Sequence, residues 1–157
     1  MACGGADEDN PLRYAELEAV KRTRKDPSWL AGAPGKVVKL VHVLLSDLPA
    51  TYRYRVVMMR RDLDEVLASQ RAMLERTGKK GAPIPPGALR RAFAAQMEDV
   101  GRWLSAQPNF RVLDVSYNRV MQSPAAESAR VAEFLGIPDR APAMAAAVEP
   151  GLYRNRK

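Results

Sequence analysis

The stretch from Tyr54 to Arg76 constrains the fold more than any other. Val56, Val57, Met58 and Met59 form an unbroken apolar, β-favouring run inside Tyr54 to Arg60, and a helical pattern opens directly after it at Asp62. An unbroken run, as opposed to an alternating one, predicts a strand covered on both faces. Leu63, Val66, Leu67 and Leu74 then keep helical spacing to about Arg76, and Thr77-Gly78 stops the helix. A strand that passes into a helix reaches its neighbour through a crossover, so the sheet is expected to be parallel.

Two further runs fit that scheme. Val37 to Leu45, dense in valine and leucine and broken only by Lys39 and His42, predicts a buried strand, and Phe110 to Val115 predicts another. Between the last two strands, Gly78 to Gly87 carries Lys79, Lys80 and three prolines and reads as a loop. A long helix follows from about Ala88 to Ala106, with Leu89, Phe93, Met97, Val100 and Leu104 on one face. Ser123-Pro124 is a helix start, with a good N-cap and proline in the first turn, and Gly136-Ile137-Pro138 is a helix stop. Shorter helices are expected over Arg13 to Lys25, ended by Pro27, and over about Pro142 to Val148, while Trp29 and Leu30 pack onto the domain. The expected fold class is α/β: three layers, α/β/α, around a short parallel sheet of three strands. A length of 157 residues with 46% apolar content supports one such domain, 1–157, and not two large ones.

Composition narrows the partners. No run approaches the length of a membrane span, and Met1 to Asp9 has neither a basic nor an apolar leader region. The single cysteine, Cys3, offers no internal disulfide and suits a reducing, cytoplasmic setting. One histidine and one cysteine, with no HExxH or CxxC, give no metal-ligand set. The net charge of +7 favours anionic partners, but no basic stripe interleaved with aromatics points to nucleic acid.

In parallel α/β sheets ligands bind at the carboxyl ends of the strands. Arg60-Arg61 ends one strand, and Ser69 lies eight residues after Arg61, two turns into the helix. A guanidinium and a hydroxyl converging there can hold a phosphate. The simpler alternative pairs Arg61 with Asp62 or Glu65 and leaves Ser69 at a packing contact. Tyr117 follows the last strand at the same edge and could stack on a base or close over the core. His42, near the end of its apolar run, could be a general base or a hydrogen-bonded core residue. Gly78-Lys79-Lys80-Gly81 is not a phosphate loop, because a helix and not a strand leads into it and no Ser/Thr follows the lysines.

The block Tyr54 to Ser69 resembles the central strand and helix of the P-loop sulfotransferases, most closely a bacterial branch of that superfamily. Asp114-Val115-Ser116-Tyr117, Ser123-Pro124 and Phe134-Leu135-Gly136 are similar to a second block of the same family. The resemblance implies a partial P-loop NTPase-like fold and transfer of a sulfuryl group from 3′-phosphoadenosine 5′-phosphosulfate (PAPS) to an acceptor hydroxyl. It places Arg61 and Ser69 on the 3′-phosphate, Tyr117 at the adenine, and His42 where cytosolic members carry a catalytic histidine. Leu40 stands where those members have a lysine, with Lys39 one step away. Arg154 or Arg156, in the basic C-terminal segment, would face the cofactor.

The family also opens with a strand, a glycine-containing loop and a helix that cradle the 5′-phosphosulfate. Met1 to Ala6 is too short to supply them. The expectation is therefore an N-terminally truncated chain, weak or inactive alone, or the downstream part of a longer enzyme. A non-catalytic nucleotide-binding or scaffold domain is the alternative. An exposed sheet edge would permit homo-oligomers. Acceptor choice in this family lies in loops, here Gly78 to Gly87 and Asp139 to Gly151.

Overall fold

The structure, a computed structural model, describes residues 18–78, 81 and 84–152. Its regular elements are β1 (Tyr54–Arg60), α1 (Leu63–Arg76), α2 (Pro86–Ser105), β2 (Phe110–Ser116), α3 (Tyr117–Gln122), α4 (Pro124–Leu135) and α5 (Ala141–Ala146). Short 3₁₀ segments cover Glu18–Arg22, Ser28–Gly32, His42–Asp47, Pro138–Arg140 and Pro150–Leu152.

β1 and β2 pair in parallel, from Tyr54 opposite Phe110 to Arg60 opposite Ser116. Alternation along each strand puts Tyr54, Val56, Met58 and Phe110 on one face. That face carries the main core, in which Met58 and Phe110 join Leu104 of α2 and Leu30, Leu45 and Leu48 of the N-terminal segments. Trp29, Met97, Val100 and Trp103 pack around it. The opposite face is covered by α4. Val115 and Ala132 are fully buried there, and the Arg55 guanidinium donates to the carbonyl oxygen of Leu135. Helix, sheet and helix therefore form the three expected layers, and the fold is α/β.

The local signals explain the boundaries. The Asp62 carboxylate accepts from the backbone N–H of Asp64 at 2.8 Å and of Glu65 at 3.3 Å, capping α1 only two residues after β1 ends. α2 starts at Pro86, two residues earlier than its apolar pattern predicts, because proline's fixed φ suits a first helical turn. α4 begins at Pro124 and closes at Gly136 in the left-handed conformation, φ 74°. α3 is an element that periodicity does not announce. Ser116 Oγ accepts from the N–H of Arg119 and turns the chain into a helix at Tyr117.

The expected strand over Val37 to Leu45 does not form. Among the described residues the sheet has two strands, and Val37 and Val41 are 88% and 55% exposed. The run instead winds into the 3₁₀ segment His42–Asp47, with Leu44 N–H bonded to Val41 O at 2.9 Å and Leu48 N–H to Leu45 O at 3.2 Å. A short apolar run does not by itself distinguish strand from helix. Here Leu45 and Leu48, three residues apart and so on one side of a 3₁₀ turn, take the buried places. Of the expected N-terminal helix over Arg13 to Lys25, only Glu18–Arg22 is seen as a 3₁₀ turn, and residues 13–17 lie outside the described residues.

Candidate functional site

Both strands release their chains into helices at the same end of the sheet. β1 ends at Arg60, and Arg61 stands in the turn before the Asp62 cap. β2 ends at Ser116, and Tyr117 opens α3. Parallel pairing therefore brings Arg61 and Tyr117 together, and the Arg61 Cζ lies 4.8 Å from the centroid of the Tyr117 ring. A guanidinium over a tyrosine face is held by the ring's quadrupole and by stacking.

A third residue fixes the pair. Glu65, one helical turn after Arg61, keeps only 3% of its side chain exposed. Its Oε2 accepts from Arg61 Nε at 3.1 Å and its Oε1 from Asn118 Nδ2 at 3.4 Å. A buried carboxylate needs partners of this kind, because desolvating an unpaired charge is costly. The pairing of Arg61 with Glu65, the simpler of the two sequence alternatives, is thus present. Ser69 sits one turn further along α1 than Glu65, half-buried.

A second buried carboxylate supports the site from the β2 side. Glu127 of α4 is 1% exposed; its Oε2 accepts from Arg130 at 2.5 Å and its Oε1 lies 2.9 Å from Arg119 Nη2. Arg130 also donates to the backbone oxygen of Asp114 at 3.2 Å. Glu127 and Arg130 together thus tie α3, α4 and the end of β2.

His42 is elsewhere. It opens a 3₁₀ segment, not a strand end, and lines an open cavity of about 210 Å³ with Leu45, Ser46, Asp99, Val100 and Trp103. Its Nε2 is buried without a hydrogen-bond partner. Trp103 packs edge-on against Phe110, 5.3 Å between centroids, and Phe110 is the first residue of β2. Tyr117 follows the last residue of that strand, and a strand of this length spans roughly 20 Å. The structure brings Arg61 and Tyr117 together, while His42 lines a separate cavity beside α2. Arg154 and Arg156, like Cys3, Lys79 and Lys80, lie outside the described residues.

A sequence model of the sulfotransferase family matches residues 8–141. The chain belongs to the sulfotransferase family. No curated protein and no solved structure matches it. The matched segment of this sulfotransferase-family chain contains His42, Arg61, Ser69 and Tyr117 and stops short of Arg154 and Arg156. It also contains Glu65, Asn118 and Glu127, which sequence reasoning did not single out as site residues. The four-residue interval from Arg61 to Glu65 was the available signal for the first; nothing in the spacing marks the other two. Among the described residues no three His, Cys, Asp or Glu side chains converge as a metal site, and no helix is long and apolar enough to cross a membrane.

Proposed function

We propose that the strand-end cluster binds the 3′-phosphate and adenine of PAPS, and that the protein transfers the sulfuryl group to an acceptor hydroxyl. The convergence of Arg61 and Tyr117 from two strands onto one edge supports this most directly. When bound, PAPS supplies the sulfuryl group. Arg61 would offer guanidinium N–H donors to the 3′-phosphate, while Glu65 holds its Nε. The Ser69 hydroxyl, on the same helix, would add a further donor. The N-terminal turn of α1 contributes its positive dipole end to the same region. Tyr117 has one face against Arg61 and would present the other to the base.

These residues serve the 3′ half of the donor. Among the described residues neither strand-to-helix turn contains a glycine, so neither resembles a cradle for the 5′-phosphosulfate. Missing donors at developing charge cost about 3 kcal/mol each in barrier height, so transfer by these residues alone is expected to be weak.

The position of His42 favours a second reading, nucleotide binding without transfer. His42 lines a cavity with Leu45, Asp99 and Trp103, none of them a residue of the Arg61–Tyr117 cluster. Calorimetric titration with adenosine 3′,5′-bisphosphate tests what the two readings share. Binding is expected, with loss in the Arg61→Ala/Ser69→Ala double variant. A folded wild-type protein that does not bind would overturn both. A sulfation assay with labelled PAPS then separates them.

A further inference from the structure

We infer that Glu65 is a positioning residue for Arg61, one that also limits how much positive charge the site offers to a phosphate. The inference goes beyond the donor-binding proposal and rests on it for the choice of ligand. Three observations carry it. Glu65 is almost fully buried beneath a guanidinium that is itself only 22% exposed. Its two oxygens face two different elements, the β1–α1 turn through Arg61 and α3 through Asn118. The guanidinium so held lies against the Tyr117 ring.

Each contact constrains a different degree of freedom. The bond from Nε fixes the guanidinium's rotation, and its planar fork then has one orientation relative to the ring. Asn118 fixes the second carboxylate oxygen and so prevents Glu65 from following Arg61 outward. The carboxylate also places a negative charge within ion-pair distance of the guanidinium that a phosphate would approach. Orientation and charge thus work in opposite directions: the first favours phosphate binding by pre-organising Arg61, and the second opposes it.

Two variants separate the effects. Glu65→Gln keeps the length of the side chain and removes its charge; its one amide oxygen can accept from Arg61 Nε while its NH2 donates to Asn118 Oδ1 once the Asn118 amide is turned over. Glu65→Ala removes both the charge and the hydrogen bonds. With adenosine 3′,5′-bisphosphate as the probe, E65Q is expected to bind about fivefold tighter than wild type and E65A about tenfold weaker. The Arg61 Nε–H nuclear magnetic resonance signal, assigned with Arg61→Lys, reports position without any ligand. It should be displaced by the Tyr117 ring current in wild type and E65Q and return to the free-arginine position in E65A. An E65A protein that keeps the displaced signal would overturn the inference, as would E65Q binding as weakly as E65A. If wild type does not bind the bisphosphate, the donor proposal fails, and the Arg61 signal alone decides whether Glu65 positions it.

Discussion

At Tyr54 three physical constraints act on one side chain. Its ring stacks on Phe110 at 4.6 Å, its hydroxyl donates to Pro49 O at 2.8 Å, and burial raises its pKa above the ordinary 10.0, with Tyr52 acting in the same direction. A phenol whose folded pKa is raised contributes stability that is fully present below its unfolded pKa and is lost as pH rises through the folded value. Urea midpoints should therefore fall as pH climbs beyond about 10, and Tyr54→Phe should flatten that fall. At neutral pH the same variant should cost about 1 kcal/mol through the lost hydrogen bond. A Tyr54→Phe protein with an unchanged alkaline slope would show that other groups set it. At this scale the site was partly legible. Arg61 and Tyr117 stand out because each comes within two residues of the end of an apolar run, which places them at strand ends. Glu65 shows in the sequence as one of two candidate partners for Arg61, but its burial beside Asn118 depends on how the fold brings α3 to α1. The apolar run places His42 near the end of a strand, whereas its neighbours' hydrophobicity is spent on a 3₁₀ turn.

Among the elements, the α4 terminus shows how one residue type is required by two neighbours at once. Gly136 has φ 74°, and a Cβ there would also come within 3.0 Å of Arg55 Nη1, the group that bonds the last carbonyl of α4. Left-handed backbone costs a non-glycine residue about 1–2 kcal/mol, so Gly136→Ala should lower stability by at least that range's lower end. Thermal melts of the two proteins check it; an unchanged midpoint would mean that the cap relaxes freely. The Gly-Ile-Pro stop was readable because it depends on local backbone chemistry. β1, α1, α2 and β2 were readable because their periods are long and bounded by caps or prolines. Val37 to Leu45 was not, because a strand exists only if another strand offers it hydrogen bonds. Within the described residues β1 and β2 pair with each other, and this run joins the core through Leu45 and Leu48 instead. α3 escaped notice for the opposite reason: a single serine hydroxyl starts it, with no apolar stripe to advertise it.

For the whole molecule, the core on the α2 side is a hub. Leu104 is 4% exposed and shares one core cluster with residues contributed by β1, β2 and two 3₁₀ segments. Leu104→Ala should therefore destabilise by about 3 kcal/mol, the middle of the range for large-to-small core changes. A loss under about 1 kcal/mol in urea denaturation would show that the core collapses around the gap. The parallel sheet has a further consequence, for the order of events in folding. Asn109 Nδ2 donates to Tyr52 O at 3.0 Å, and these residues are 57 positions apart. Among the described residues each strand pairs only with the other, so the first ladder bond must wait until a loop of that size has closed. α1 and α2, joined by the Arg90–Asp64 ion pair at 3.1 Å, occupy most of that loop and shorten it once formed. Helix formation takes microseconds or less, whereas distant pairing is slow. The two helices are therefore expected to act as a folding strut, forming first and carrying the end of one strand back to the beginning of the other.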